Sequence, residues 1–515
     1  MLTWIICLPL LAALALMFVP RENTRLVRAI TVGVTAVVML IALGVFFAFD
    51  SAPSLDGYKF VQRLPWIPRL GISYYVGVDG INLGLVVMGA IVAFAAACLS
   101  SEIKSRQKEF HVLLLVMTGG ILGAFASLDL FFFYCFHEFA LVPTFIMIGL
   151  WGSGERKNYA TFQITIYLTV GALLALAGLI LLYLQMPAGQ RSFDIVKLTG
   201  YFAANPITAA NQNLIFALLL FGFGILVSLW PFHTWAPLGY GVAPTATAML
   251  HAGVLKKFGL YGLIRIALPI LPEGAKAWVP VLAWLCLGNI LYCGWVAMRQ
   301  KDLNLLIGNS SVAHVGFAFL GIASLDLIGV TGAVMVMVAH GFLAALSFGL
   351  SGYLFAETGT RDMKRLGGLL QQLPFIGTAL VMAMLAGCGV PGFGNFVGEL
   401  LVMFGAWKAG FTVHPHFYVA AVAWGGLVVA ALYALRAVRH LLHGPTTELA
   451  CEAQDALALR RVPFVLLLAA LLLLGVFPRL LTDKIKPSAE ATLKLGGGKP
   501  PTPGLAAVAP APPQK

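Results

Sequence analysis

The feature that most constrains this chain is a series of apolar runs, each about 20 residues long, that extends over most of the sequence. A helical run of this length matches the thickness of a bilayer, and only helices or closed barrels satisfy their backbone polar groups in lipid. Only 10% of the residues are charged, against roughly 25% in a soluble domain. The sequence therefore predicts an all-α polytopic membrane protein.

We count fourteen of these runs and expect about fourteen transmembrane helices. They lie near residues 2–19, 28–49, 78–99, 111–127, 130–151, 160–184, 212–236, 243–269, 277–298, 303–323, 329–356, 373–407, 416–440 and 461–481. The first run has no basic segment before it and no small-residue cleavage site after it, so we interpret it as a retained span and not a signal peptide.

Lysine and arginine are distributed unequally among the loops. Loops after odd-numbered spans carry 17 of them and loops after even-numbered spans carry 7, which by the positive-inside rule places the odd-numbered loops in the cytoplasm. Both termini are then expected on the outer side. This interpretation accounts for the net charge of +12 without a nucleic-acid partner. The Pro/Ala/Gly-rich segment 482–515 is expected to be disordered or to lie on a neighbouring protein.

Two of the predicted spans contain helix breakers. The seventh includes LVSLWPFHTWAP (226–237), and the twelfth includes GCGVPGFGNFVGE (387–399). The two breaks are five spans apart, so a repeat of this period inserts with opposite topology, as in transporters built from inverted repeats. The predicted organisation is N-terminal helices 1–3 (1–110), a first repeat of helices 4–8 (111–269), an inverted second repeat of helices 9–13 (277–440), a loop with helix 14 (441–481) and the tail.

Few ionisable residues lie inside the predicted spans. Among them are His137 and Glu138 in the fifth, His233 in the seventh, His251, Lys256 and Lys257 in the eighth, His314 in the tenth, His340 in the eleventh and Glu399 in the twelfth. A charged group at the centre of a span costs roughly 2.5–3.5 kcal/mol on insertion scales, and such residues commonly mark ion paths or proton relays. This set therefore predicts a chain of proton-exchanging groups.

Other interpretations remain open for several of these residues. A single histidine in a helix bundle, such as His251 or His314, also serves as a hydrogen-bonding contact between helices. Lys256 lies on the same predicted helix as Lys257, but adjacent helical residues point about 100° apart. We therefore expect Lys256 to flank the functional lysine, Lys257, without sharing its role. Arg265 is expected to extend to the membrane surface. No strands are evident, no G-x-G-x-x-G motif suggests NADH binding, and the seven cysteines form no C-x-x-C pair.

Several motifs occur in an order typical of one family. They are LWPFHTWAP, APTATAMLHAGVLKKFGLYGLIR, NSSVAHVGF, HGFLAALSFGL, RDMKRLGGL and PGFGNFVGEL. Over about residues 75–440 the chain resembles the antiporter-like membrane subunits of respiratory complex I (NADH-quinone oxidoreductase), most closely the subunit M (chain 4) family. The sodium/proton antiporter and membrane-bound hydrogenase subunits share much of this pattern.

The resemblance implies a proton-translocating subunit without a redox centre of its own. The family's key residues match Glu138, Lys257, His314, His340 and Glu399 of this chain. From their positions in the spans alone, we expect His137, His233, His251 and Lys256 to be accessory groups. FMN, iron–sulfur clusters and quinone would belong to partner subunits. Other membrane subunits of the complex, above all neighbouring antiporter-like subunits, and lipids would be its partners, and a bacterial plasma membrane would be its location.

The chain also departs from the family pattern. The family has a lysine in the seventh span where this chain has Leu226, and a basic pair at the start of the tenth span where this chain has Asn304 and Leu305. Glu138 therefore lacks the ion-pair partner that the family provides. A cation/proton antiporter subunit, a hydrogenase-type subunit and a structural paralogue with impaired pumping remain the alternatives.

Overall fold

The computed structural model describes residues 1–410 and 414–496, and most of these residues are helical. The first elements are α1 (Leu2–Met17), α2 (Thr24–Ala48), β1 (Ser54–Leu55), β2 (Tyr58–Ile67), β3 (Ile72–Val78), α3 (Gly80–Leu99), α4 (Gln107–Ala126), α5 (Leu130–Trp151), α6 (Lys157–Leu184) and α7 (Ile195–Ala204). Strands β1–β3 cap one end of the bundle, which we call the hairpin side.

Seven short or medium helices form the middle of the chain. They are α8 (Ala209–Val227), α9 (Trp235–Val242), α10 (Thr245–Gly253), α11 (Phe258–Gly262), α12 (Leu268–Ile270), α13 (Pro272–Leu287) and α14 (Gly294–Arg299). The last helices are α15 (Leu303–Ala323), α16 (Leu327–Thr358), α17 (Leu369–Gln372), α18 (Pro374–Gly387), α19 (Gly394–Gly410), α20 (His414–Leu442), α21 (Glu448–Cys451), α22 (Ala458–Val476) and α23 (Arg479–Leu495).

In the described part of the chain, eleven helical segments are long and apolar enough to cross a membrane. Three other predicted spans take a different form. Helix α1 is apolar but has 16 residues, and the eighth and twelfth predicted spans are divided into shorter helices. The prediction of a helical membrane protein is confirmed.

Both predicted breaks are present. Helix α8 ends at Val227 and α9 begins at Trp235, while α18 ends at Gly387 and α19 begins at Gly394. In the first break the side chain of Asn289 binds two backbone groups, accepting from Trp230 N at 2.8 Å and donating to the carbonyl of residue 228 at 2.8 Å. A neighbouring helix thus satisfies backbone groups that the break releases, as an apolar environment requires.

A third interruption lies in the eighth predicted span and was not expected from the sequence. Helix α10 ends at Gly253, and a 3₁₀ turn over Leu255–Lys257 precedes α11. Val254, at φ −121° and ψ −61°, departs from helical geometry between the two. A turn of π-helix over Leu263–Ala267 follows. Helices interrupted in this way often mark functional sites.

The expectation that the chain has no strands was wrong. The 30 residues after α2 contain an antiparallel three-stranded sheet in the order β1-β2-β3. The residues of β2 are half-buried or exposed, whereas most of β3 is buried against the helices. The apolar, β-branched and aromatic residues of YKFVQRLPWI and ISYYVGV are typical of strands, but they are too short a signal to stand out beside the membrane spans.

The prediction that the disordered tail begins at residue 482 was wrong, because the first part of this segment is helical. Residues 479–495 form α23, which packs on α3, α12 and α16. Its buried residues Leu481, Ile485, Ala489 and Leu493 recur every fourth position, which is the apolar stripe of a surface helix. Gly80 fits under this helix because a Cβ there would lie 1.7 Å from the carbonyl oxygen of Lys484. The expected tail beyond residue 496 lies outside the described residues.

Arg265 does not extend to the membrane surface as expected. Its side chain is 5% exposed and its Nη2 lies 2.5 Å from Oδ1 of Asp79. It also donates to the hydroxyls of Tyr58 at 2.9 Å and Tyr261 at 3.3 Å. The guanidinium therefore joins the sheet, α3 and the eighth span inside the protein.

Asp129 fixes the start of α5, the helix that carries Glu138. One carboxylate oxygen accepts from the amides of Phe131 (2.9 Å) and Phe132 (3.2 Å), and the other accepts from Ser73 N of β3 (3.0 Å). Burial raises the pKa of this carboxyl to about 6, against the lowering effect of the three amides. Asp129 is therefore both a helix cap and a link to the sheet.

We expect the effect of Asp129→Asn on stability to depend on pH. The native state binds the proton more tightly than the unfolded state, so the contribution of Asp129 is complete below about pH 4 and is lost as the pH rises to about 6. Above pH 6 the asparagine, which keeps a capping oxygen and has no charge to bury, should gain on the order of 2 kcal/mol relative to its difference at pH 4.

Thermal unfolding of the detergent-purified protein at several pH values measures this effect. Asp129→Ala is the matched control, because it loses the cap and should cost about 1–2 kcal/mol. A wild-type-to-Asn difference that is the same at pH 4 and pH 8 would contradict the prediction.

Candidate functional site: a buried row of lysine, histidine and glutamate

Lys257 lies at the end of the 3₁₀ turn, in the centre of the protein, and its side chain is fully buried. Its Nζ donates to the carbonyl of Ala252 at 2.6 Å and lies 3.0 Å from Nδ1 of His340. The carbonyl is available because the last four C=O groups of a helix have no partner within it. The break in the eighth span thus supplies the acceptor that holds the lysine.

His340 begins a line of groups that continues into the second broken helix. Its ring centroid lies 5.6 Å from that of His314, and Nδ1 of His314 lies 2.9 Å from Oε1 of Glu399. All three side chains are buried. We call Lys257, His340, His314 and Glu399 the central row.

Helices α16 and α19, which carry His340 and Glu399, pack closely against each other. A Cβ on Gly332 of α16 would lie 2.6 Å from Val402 N of α19, and a Cβ on Gly398 would lie 2.8 Å from Val336 N. Glycine at both positions lets the two backbones approach. Gly389, at φ +67° in the second break, faces the carboxylate, because a Cβ there would lie 2.8 Å from Oε2 of Glu399.

The central row has unused hydrogen-bonding capacity. Within the described residues, Nε2 of His340, Nε2 of His314 and Oε2 of Glu399 have no hydrogen-bond partner. A cavity of about 20 Å³ lies beside the two histidines and is also lined by Ser311 and Tyr433. This is large enough for a water molecule, and the lining offers it polar partners.

His137 and Glu138 lie on α5, outside the central row. His137 is buried, its ring is stacked on that of Phe258 at 4.0 Å, and its Nδ1 lies 3.6 Å from Oε1 of Glu138. The Glu138 side chain is 30% exposed at the surface of the bundle. Among the described contacts, none joins Glu138 directly to Lys257, so the structure does not bring Glu138 into the central row.

The remaining predicted residues surround the first break. His251 is buried, and its Nδ1 lies 2.9 Å from the hydroxyl of Tyr240. His233 packs edge-on against Tyr292 at 5.7 Å. Lys256 is buried with its Nζ 5.8 Å from the centre of the Tyr240 ring. These residues stay predictions as functional groups, but the structure places them near one another.

The sequence interpretation missed two polar contributors. Tyr240 lies between the seventh and eighth predicted spans. Tyr433, whose hydroxyl lies 2.8 Å from that of Ser310, lies within the thirteenth predicted span. A tyrosine inside a span resembles other aromatic residues in hydropathy, so composition alone does not identify it.

Comparison with known proteins identifies the family. Residues 127–425 match the family described as NADH:quinone oxidoreductase/Mrp antiporter, transmembrane. The chain belongs to this family. It is 33% identical over 502 residues to NADH-quinone oxidoreductase subunit M of Rhodobacter capsulatus, with 95% of each chain covered.

Two solved structures resemble the fold of this NADH:quinone oxidoreductase/Mrp antiporter family member. A chain of respiratory complex I from Thermus thermophilus with bound NADH superposes with a TM-score of 0.86 at 30% identity, covering 97% of this chain and 100% of that one. A chain of the Mrp complex from Dietzia sp. gives a TM-score of 0.83 at 20% identity, covering 96% and 98%, and supports the fold alone.

Proposed function

We propose that this chain is subunit M of a proton-pumping NADH-quinone oxidoreductase and moves protons along the central row. The redox reaction takes place in partner subunits, which hold the FMN, iron–sulfur clusters and quinone. Electron transfer there drives electrostatic and conformational changes in this chain. Family membership and the geometry of the central row support this function.

The observation that carries the proposal is the continuity of the central row. Two of its three steps span hydrogen-bonding distance, 3.0 Å from Lys257 to His340 and 2.9 Å from His314 to Glu399. The step between the two imidazoles is longer, and the water-sized cavity lies beside it. Because charges interact strongly at low dielectric constant, a proton on one group changes the proton affinity of the next.

Glu138 is proposed to couple this chain to a neighbouring antiporter-like subunit. Its side chain is 30% exposed, and its Oε1 lies 3.6 Å from Nδ1 of the buried His137. Leu226, where the family has a lysine, is buried in the last turn of α8. We therefore assign to His137 the link between Glu138 and the interior.

The proposed architecture has fourteen crossings with both termini on the periplasmic side of a bacterial plasma membrane. The hairpin side then faces the periplasm. Residues 111–269 and 277–440 form the two inverted repeats, and each contains one of the two breaks predicted from proline and glycine. The predominance of lysine and arginine in the loops of the other side supports this orientation.

Glu138→Gln tests the function. We expect proton pumping by inverted membrane vesicles to fall about tenfold or more relative to NADH oxidation, because removal of a proton-transfer group has effects of this size or larger. Phe139→Leu is the matched control, since Phe139 is the next residue and is 44% exposed.

Unchanged pumping per electron in Glu138→Gln, with the complex assembled, would contradict the proposal. The chain would then be a structural paralogue. Pumping that depends on sodium and continues without NADH oxidation would identify a cation/proton antiporter subunit.

A further inference from the structure

Lys256 is a fully buried amine that the central row does not use. Its side chain is 1% exposed, and its Nζ has no hydrogen-bond partner within the described part of the chain. Buried polar groups in native proteins are nearly always hydrogen-bonded, and each exception needs an explanation. A methionine or leucine would fill the same space without the cost of burying an amine.

The geometry of the 3₁₀ turn directs the side chains of Lys256 and Lys257 to different sides. Consecutive residues in such a turn point about 120° apart, because it has three residues per turn. Lys257 points to His340. Lys256 points to α9, the helix that follows the first break, where its Nζ lies 5.8 Å from the centre of the Tyr240 ring.

In the part of the chain that the structure describes, five titratable groups lie close enough to interact electrostatically with a charge on Lys256. They are Lys257 on the same turn, His251 on α10, His233 in the first break, His340 on α16 and Cys293 at the start of α14. Tyr240 lies between Lys256 and His251. Its ring is the one near Nζ of Lys256, and its hydroxyl is 2.9 Å from Nδ1 of His251. Nδ1 of His233 and Nε2 of His251 have no partner among the described residues.

Both protonation states of Lys256 have local support. The ring face of Tyr240 at 5.8 Å is within the range in which an aromatic ring attracts a cation. The neutral amine suits the apolar surroundings and the nearby Lys257, because two adjacent ammonium groups repel strongly where the dielectric constant is low. Protonation of one lysine therefore disfavours protonation of the other.

We propose that Lys256 is a second proton-carrying lysine, which exchanges protons with the first break while Lys257 exchanges them with the central row. In the transfer step the ammonium of Lys256 releases a proton to Nε2 of His251, directly or through water. The lysine becomes a neutral amine. Nδ1–H of the imidazolium donates to the hydroxyl oxygen of Tyr240. This inference rests on the proposed function.

Three substitutions in the intact complex test it. Lys256→Met keeps the volume but has no proton site, and Lys256→Arg keeps a positive charge but does not release its proton. We expect both to lower proton pumping per NADH oxidised by about tenfold. Leu255→Met, at the neighbouring buried position, is the matched control and should pump normally.

Each outcome decides the question. Normal pumping by Lys256→Met would show that the side chain only fills space, and normal pumping by Lys256→Arg with loss in Lys256→Met would show that it is a fixed charge. Either result overturns the inference. If Lys256→Met does not assemble, Lys256→Gln takes its place, and normal pumping by that variant overturns the inference too. Lys257→Met in the same assay separates the two proposals: if it also pumps normally, the proposed function fails.

Discussion

Replacing Lys257 by methionine should abolish proton pumping almost completely. Lys257 forms one end of the central row, and its Nζ lies 3.0 Å from Nδ1 of His340. Without it, His340 loses its neighbour and the row is cut at one end. We expect pumping per NADH oxidised to fall about 100-fold or more, because loss of a general acid or base lowers the rate of an enzyme by a factor of this size.

The measurement is acidification of inverted vesicles with NADH oxidation followed in parallel. Lys257→Met also leaves the carbonyl of Ala252 without its donor, which should cost about 1–3 kcal/mol, so assembly of the complex must be checked. His111→Ala is a suitable control, because His111 is a buried histidine that lies outside the central row. Pumping within twofold of wild type in assembled Lys257→Met would exclude the central row as the proton path.

Replacing Arg265 by methionine should strongly destabilise the hairpin side. Asp79 lies 2.5 Å from the guanidinium and is nearly as buried as Arg265. Removal of one member of a buried ion pair leaves an uncompensated charge and costs about 3–5 kcal/mol. Tyr58 and Tyr261 lose a donor as well.

The double substitution Arg265→Met with Asp79→Asn distinguishes charge from packing. It removes both charges, and replacement of a whole buried pair is often nearly neutral, so much of the lost stability should return. Thermal unfolding of the purified complex compares the single and the double variant with the wild type. Equal loss in the single and double variants would show that the pair acts through the shape of its side chains and not through its charges.

Much of the site could be predicted from the sequence because charged residues stand out in apolar spans. The approach of Lys257, His340, His314 and Glu399 agrees with the chain of proton-exchanging groups that their positions predicted, although their roles stay predictions. Both proline- and glycine-containing breaks were also found where predicted. The burial of Arg265 was missed because its partner, Asp79, lies 186 positions earlier and no local pattern joins them.

Other features were missed for local reasons. The 3₁₀ turn at Leu255–Lys257 contains no proline, so the eighth span was expected to be continuous. Helix α23 has too many polar residues to register as a span, and its apolar residues at every fourth position were overlooked beside the nearby glycine and proline. The position of Glu138 at the surface, away from Lys257, depends on how α5 packs, which hydropathy does not report.

The carbonyl of Ala252 has a consequence for how this protein can change. One of the two hydrogen-bonding contacts of Lys257 Nζ is to a main-chain oxygen. Every amino acid at position 252 would supply this oxygen equally. No single side-chain replacement at that position can delete the acceptor, and only rewinding the turn after Gly253 into a continuous helix would withdraw it. Substitutions at position 252 should therefore leave this contact of Lys257 intact. Substitutions that change the backbone of the turn that frees the oxygen should be tolerated least.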